Sequence, residues 1–233
     1  MTNALAGRSA LVTGASRGIG RAVATVLAAA GARLTLLARD ATQLEALAAD
    51  LHAKAIRCDV GKGSDVERAL AEIGESPDIV VNNAGLFQPL PIEATTEDAF
   101  ELALAVNLMA PFRLVRALLP SMRERGRGDI VSIGSIADHT AFPGNAAYGA
   151  SKHGLRALHD VLRMELRGTG VRVTLVSPGP VDTSLWDEID PDSRDGFTPR
   201  ARMLSPNAVA AAVLYAVSQP PEVDVELVRL SRS

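Results

Sequence analysis

Thr13-Gly14-Ala15-Ser16-Arg17-Gly18-Ile19-Gly20 lies between a short apolar run, Ser9–Thr13, and an Ala-rich stretch of helical period, Ile19–Ala30. Glycines at such a junction allow a tight turn and bring backbone N–H groups close to whatever sits above it. The helix that follows adds partial positive charge at its N-terminus, so the combination suits a phosphate. A glycine-rich turn by itself is often only a turn. Its place after a first strand and before a helix is what gives it a ligand-binding meaning. The spacing is Gly-x-x-x-Gly-x-Gly, which departs from the common Gly-x-Gly-x-x-Gly.

Outward from this turn the strand–helix pattern repeats. Strands are predicted at Ser9–Thr13, Arg33–Ala38, Ala55–Cys58, Asp78–Asn82, Asp129–Ile133, Val171–Ser177 and Val223–Arg229. Most are too apolar for a sheet with one wet face, as a parallel sheet covered on both sides requires. Helical stretches are read at Ile19–Ala30, closed by Gly31, and at Leu44–His52, where Leu44, Leu47 and Leu51 recur at helical spacing. Two more lie at Ala146–Arg167 and at Pro206–Ser218, the latter behind Ser205 as N-cap. The alternation predicts an α/β fold, a single-domain Rossmann-type doubly wound parallel sheet of about seven strands over residues 1–233. One irregular stretch, Ser184–Ser205, reads either as a substrate-loop excursion or as a plain surface loop.

Composition narrows the function classes. A chain of 233 residues with 47% hydrophobic and 22% charged content can bury its own core and is not disordered. Its single cysteine, Cys58, excludes an intrachain disulfide and a cysteine-rich metal site. A net charge of −3 argues against nucleic acid or an anionic membrane as partner. Met1–Arg8 lacks the character of a secretory start, and no run approaches the ~18 apolar residues that span a bilayer. His52, His139, His153 and His159 do not group with carboxylates at ligand spacing, so no metal site is expected. The expectation is a soluble, cytoplasmic protein acting on a small molecule.

Two further places carry chemistry. The second strand ends Leu37-Ala38-Arg39, where a carboxylate would accept hydrogen bonds from an adenosine ribose and an arginine would receive a 2′-phosphate. Asp40 follows but should already turn away, so Arg39 and Arg17 favour NADP(H) over NAD. Farther on, Tyr148-Gly149-Ala150-Ser151-Lys152 puts a phenol and an ammonium on one helix face, and Ser135 ends the fifth strand. A neighbouring ammonium should bring the phenol's pKa down from ~10 toward working pH. Tyr-x-x-x-Lys is common on surface helices and gains force only through Ser135 and the glycine turn.

Together these residues resemble the short-chain dehydrogenase/reductase family over nearly the whole chain, about Leu5 to Leu230. The family's Thr-Gly-x-x-x-Gly-x-Gly is present as Thr13 to Gly20 and its Asn-Asn-Ala-Gly as Asn82 to Gly85. Ser135, Tyr148/Lys152 and Pro178-Gly179 complete the set, in order and at family-like spacing. The resemblance implies that Tyr148 is the general acid or base, that Lys152 lowers its pKa and holds the nicotinamide ribose, and that Ser135 polarises the substrate carbonyl. It implies that Asn107 helps hold a relay water. Gly14, Ser16, Arg17, Gly18, Ile19, Gly20 and Arg39 would take the adenosine and phosphate end of the cofactor, with Asp59 and Val60 at the adenine. Asn83, Ala84, Gly85, Pro178, Gly179, Val181 and Thr183 would line the remainder.

The leading expectation is therefore an NADPH-dependent reductase of a ketone or aldehyde, with reversible alcohol oxidation. The alternatives are a non-catalytic NADP(H)-binding regulator and an NAD-linked alcohol dehydrogenase. Specificity is assigned to Phe87–Ile92, Ala137–Asn145 and Ser184–Ser205, with Trp186 lining a pocket or anchoring its loop. Family habit implies a homodimer or homotetramer paired through the long helices, including the one that carries Tyr148.

Overall fold

The computed structural model of the chain describes residues 3–233; the first two residues of the 1–233 span, and of the Met1–Arg8 segment, lie outside the described residues. Seven parallel strands form one sheet: β1 (Ser9–Thr13), β2 (Arg33–Ala38), β3 (Lys54–Arg57), β4 (Ile79–Asn82), β5 (Gly128–Ile133), β6 (Val171–Pro178) and β7 (Leu227–Leu230). Their order is β3-β2-β1-β4-β5-β6-β7, so the winding reverses between β1 and β4. In such a sheet ligands bind at the carboxyl ends of the strands beside this reversal.

Helices α1 (Gly18–Ala29), α2 (Ala41–Leu51) and α7 (Pro206–Val217) cover one face, and their apolar sides meet Val12, Leu36 and Val81 in one core. Helices α3 (Gly63–Ile73), α4 (Glu97–Leu104), α5 (Ala110–Arg125) and α6 (Ala146–Glu165) lie on the opposite side of the chain's winding. Leu114 and Met122 of α5, Val66 of α3 and Leu162 of α6 pack there with Leu11 and Ile130 in a second core. A third, small cluster of Trp186, Ile189 and Met203, with Phe87 and Phe197 against it, shares no residue with either.

The central strands are buried on both faces, as their largely apolar character predicts, whereas β3 and β7 at the edges are half exposed. Several boundaries differ from the sequence reading. β7 starts at Leu227 rather than Val223, because Asp224 and Glu226 turn to pair with Arg163. α2 begins at Ala41, where Asp40 caps it, and His52 closes it in a left-handed conformation. Helices α3, α4 and α5 are absent from the four stretches read from the sequence. α3 has four charged residues among eleven and buries only Val66 and Ala69, while α5 carries Pro111 at its start and Pro120 within. Both features weaken the sequence signal for a helix.

α4 runs through a π turn at Ala105–Met109 into α5, making one helical stretch from Glu97 to Arg125. By length and composition this stretch is apolar enough to cross a membrane, against the expectation that no run qualifies. Its apolar character continues across Asn107, Arg113 and Arg116, which a search for an unbroken run discounts. Its buried side chains belong to the second core.

A polar knot ties the opposite end of the sheet. Asp129, buried at the start of β5, receives Arg172 Nε at 2.7 Å and also pairs with Arg8. Arg8 reaches the Val217 carbonyl at 2.8 Å, and Arg172 bonds the carbonyls of Gln219, Pro220 and Val223. One carboxylate thus joins the lead-in to β1, strands β5 and β6, and the exit from α7.

Candidate active site

At the carboxyl ends of the strands, beside the reversal, a cleft of about 1010 Å³ opens. Every sequence-predicted site residue lines it except Gly20 and Asn107. The glycine turn forms one wall. Gly14 adopts a φ of +64°, and a Cβ there would lie 2.9 Å from the Ala84 Cα. A Cβ at Gly20 would overlap the Gly14 carbonyl oxygen and the Asn83 amide, so Gly20 serves the turn from behind without facing the cleft. Thr13 Oγ1 accepts from the backbone N–H groups of Asn83 and Ala84, both at 3.0 Å, and Asn83 Nδ2 donates to the Thr13 carbonyl at 2.9 Å. Asn83 therefore braces the turn as well as lining the cleft.

This wall fits a dinucleotide. Side chains are excluded where a pyrophosphate must approach the backbone, and Arg17, at the N-cap of α1, offers no side-chain acceptor to the first-turn N–H groups. Arg17 and Arg39 are exposed cations at the same end. The Asp40 carboxylate accepts from Gln43 N–H at 3.0 Å, committed to capping α2. Asp59 accepts from Gly61 N–H at 3.2 Å and lines the cleft next to Val60. Cys58, just past β3, is buried, and burial pushes its thiol up to about 11, so it is inert.

Ser135, Tyr148 and Lys152 converge at the other end. Ser135 caps the short turn Ile136–Asp138 and accepts from Ala137 N–H at 3.2 Å, which leaves its own O–H free to donate. Tyr148 and Lys152 sit one turn apart on α6, with Lys152 Nζ 5.7 Å from the phenol ring centre. Nζ donates to the Ile133 carbonyl at 2.8 Å. Burial pushes Lys152 from 10.5 down to about 8, while the Asp138 carboxylate pulls it back up. The Tyr148 hydroxyl is raised above 10, chiefly by burial; Ser135 lowers it and Asp138 raises it. The expected lowering by Lys152 is not what governs this phenol, because desolvation outweighs it and the ammonium is turned to Ile133. The phenol keeps its proton at neutral pH.

The depressed Lys152 has a consequence for stability. Between about 8 and 10.5 the unfolded chain binds the proton that the folded one has released, so native stability rises with pH across that window. Below it the buried ammonium exerts its full cost. Lys152→Met should therefore melt on the order of a few degrees above wild type at pH 7. Differential scanning fluorimetry from pH 7 to 10 should show that gap shrinking as pH rises, and a gap independent of pH would refute the assignment.

Asn107 does not reach the cleft. Its side chain accepts from Leu86 N–H at 2.8 Å and donates to the Leu86 carbonyl and to Ser151 Oγ, both at 2.9 Å. From the π turn it ties the segment after β4 to the helix that carries Tyr148. Asp138, within the Ala137–Asn145 segment but given no role of its own by the sequence, sits 1% exposed behind Ser135. It accepts from the Ser135 N–H at 3.2 Å, from Ser177 Oγ, and faces His139 Nδ1 at 2.6 Å and Arg156 at 3.8 Å. The Ser135-x-x-Asp138 spacing of a capping box marks it locally, whereas its bond to Ser177, 39 residues away, has no local signal.

The stretch 184–205 is neither featureless nor free. It holds two short 3₁₀ turns, Ser184–Trp186 and Arg200–Arg202, and Arg200 ties it down through Asp182 at 2.8 Å and Asp187 at 2.6 Å. Trp186 does both things considered for it. It lines the cleft, and its Nε1–H donates to the Val181 carbonyl at 3.0 Å.

A parallel sheet with this turn at its reversal, and a Tyr–Lys pair across the same cleft, defines a nicotinamide-dependent oxidoreductase. The chain belongs to the short chain dehydrogenase family, which it matches over residues 8–194. It is similar to an uncharacterized oxidoreductase of Listeria monocytogenes, 35% identical over 229 residues with 92% of each chain covered. Among solved structures it resembles a short chain dehydrogenase/reductase family protein, with a TM-score of 0.88, 34% identity and 97% of each chain covered. A metagenomic short-chain oxidoreductase in complex with NADP is similar at a TM-score of 0.84 and 31% identity, with 99% of each chain covered.

Proposed function

We propose that the whole chain acts as one NADP(H)-binding unit that reduces the carbonyl of a small ketone or aldehyde, and reversibly oxidises the alcohol. The observation that carries this reading is the convergence of Ser135, Tyr148 and Lys152 in the cleft that also holds the glycine turn. When bound, NADPH supplies the hydride. Ser135 donates its free O–H to the substrate carbonyl oxygen, and Tyr148 delivers the proton to that same oxygen. Its raised pKa keeps the acid form ready for reduction. Lys152, held by the Ile133 carbonyl, would hold the nicotinamide ribose. Asn107 positions α6 through Ser151.

Arg17 and Arg39 would receive the 2′-phosphate, in keeping with the NADP bound by the metagenomic relative. Asp59 and Val60 would flank the adenine, and Ala84, Gly85, Pro178, Gly179, Val181 and Thr183 would line the nicotinamide end. The buried free thiol of Cys58 and the acidic balance support a cytoplasmic setting. Exposed Leu102, Met109, Phe112, Val161 and Met164 on α4, α6 and the π-to-α5 segment support a homodimer or homotetramer paired through these helices.

The test is NADPH oxidation against a panel of ketones, diketones, 3-oxoesters and pterins, with NADH in parallel. NADPH is expected to be preferred by about ten-fold or more in kcat/KM, and Arg39→Asp to narrow that ratio by removing a charge-assisted phosphate contact. Activity chiefly with NADH would overturn the cofactor assignment. Silence across the panel in protein that binds NADPH would favour the non-catalytic regulator.

A further inference from the structure

Resting on the reductase reading, we propose that the non-reacting part of the substrate is an apolar ring or branched hydrocarbon that carries no anionic group. The chain has only eight aromatic residues, and five of them, Phe87, Phe142, Tyr148, Trp186 and Phe197, line this one cleft. Four form a continuous edge-to-face series that starts at the proposed acid. Tyr148 meets Phe87 at 4.7 Å between ring centres, Phe87 meets Trp186 at 5.2 Å, and Trp186 meets Phe197 at 6.1 Å. Trp186 has spent its one donor on the Val181 carbonyl, so what it offers a ligand is carbon.

The charges agree with the rings. Of the cations that line the cleft, Arg17 and Arg39 stand at the glycine-turn end and Lys152 is held by the Ile133 carbonyl. The charged residue that the 184–205 loop contributes to the lining is Asp195, which repels an anion. Arg200 of that loop is paired with Asp182 and Asp187, and Arg194 is exposed and outside the lining. A carboxylate or phosphate entering here would lose water without gaining a partner, whereas an arene gains buried apolar area and further edge-to-face contact.

The experiment compares 4-isopropylbenzaldehyde with 4-carboxybenzaldehyde, which match in shape and differ in charge, beside butanedione as a small carbonyl. The isopropyl compound should exceed the carboxylate in kcat/KM by about 100-fold, the loss expected for an unpaired charge in an apolar site. Trp186→Ala and, separately, Phe197→Ala should raise KM for the isopropyl compound about ten-fold with a smaller change in kcat. Trp186→Phe, which keeps a ring, should recover most of that loss. Carboxylate turnover within about three-fold of the neutral compound, or KM unmoved in both alanine variants, overturns the proposal. Turnover of butanedione with neither aldehyde overturns the substrate class alone. NADPH consumption with no carbonyl at all overturns the reductase reading with it.

Discussion

Tyr148→Phe is expected to lower kcat for carbonyl reduction by about 10³-fold, within the range that a positioned general acid contributes. The substitution removes one oxygen and keeps the ring, so the edge-on contact with Phe87 at 4.7 Å survives and the wall of the cleft keeps its shape. The Lys152 bond to Ile133 does not involve the phenol and also persists. NADPH affinity, read by quenching of intrinsic fluorescence from Trp186, should therefore change less than about three-fold. Loss of turnover with retained binding isolates the proton-transfer role. Because burial raises the Tyr148 pKa, alcohol oxidation, which needs the phenolate, should gain rate with rising pH in wild type while reduction does not. A variant within ten-fold of wild-type kcat would mean that another group delivers the proton.

Asp129→Ala should be the most destabilising single change on the far side of the molecule. The carboxylate is buried and answers two arginines, Arg8 and Arg172, that come from different parts of the chain. Removing it strands both guanidiniums, and breaking a buried pair from one side costs about 3–5 kcal/mol. Domains of this kind have about 5–15 kcal/mol in total, so a fall in Tm on the order of 10 °C is expected. Asp129→Asn, which keeps the shape and an acceptor oxygen, should lose less. The knot lies at the amino ends of the strands and the cleft at their carboxyl ends, so kcat and KM per folded molecule should not move. Thermal unfolding beside steady-state kinetics separates the two, and a change in KM would show that the ends of the sheet are coupled.

What could be read from the residues was governed by range. Interior strands such as β1 and β4 announce themselves because both faces are buried and apolar residues dominate them. The glycine turn is legible because turn, strand and helix are contiguous. Tyr148 and Lys152 are legible because one helical turn joins them. The helices α3 and α5 were not, since the first is stabilised by few buried residues and the second contains a proline that sequence rules treat as a break. The pKa of Tyr148 went the other way because a four-residue spacing reports proximity to Lys152 but not how deeply the pair is buried. Asp138 is legible only in part: its capping spacing to Ser135 is local, but its partner Ser177 arrives from β6, and only the folded sheet brings those two together.

The small cluster of Trp186, Ile189 and Met203 has a bearing on how such an enzyme can change over time. Being built apart from both cores, it can loosen or repack while the sheet stays native, as regions of low local stability do. Substitutions there and in the main cores should combine almost independently. Lineages carrying this scaffold can explore new diets of substrate by rewriting one peripheral patch, while the sheet and its two main cores descend unaltered.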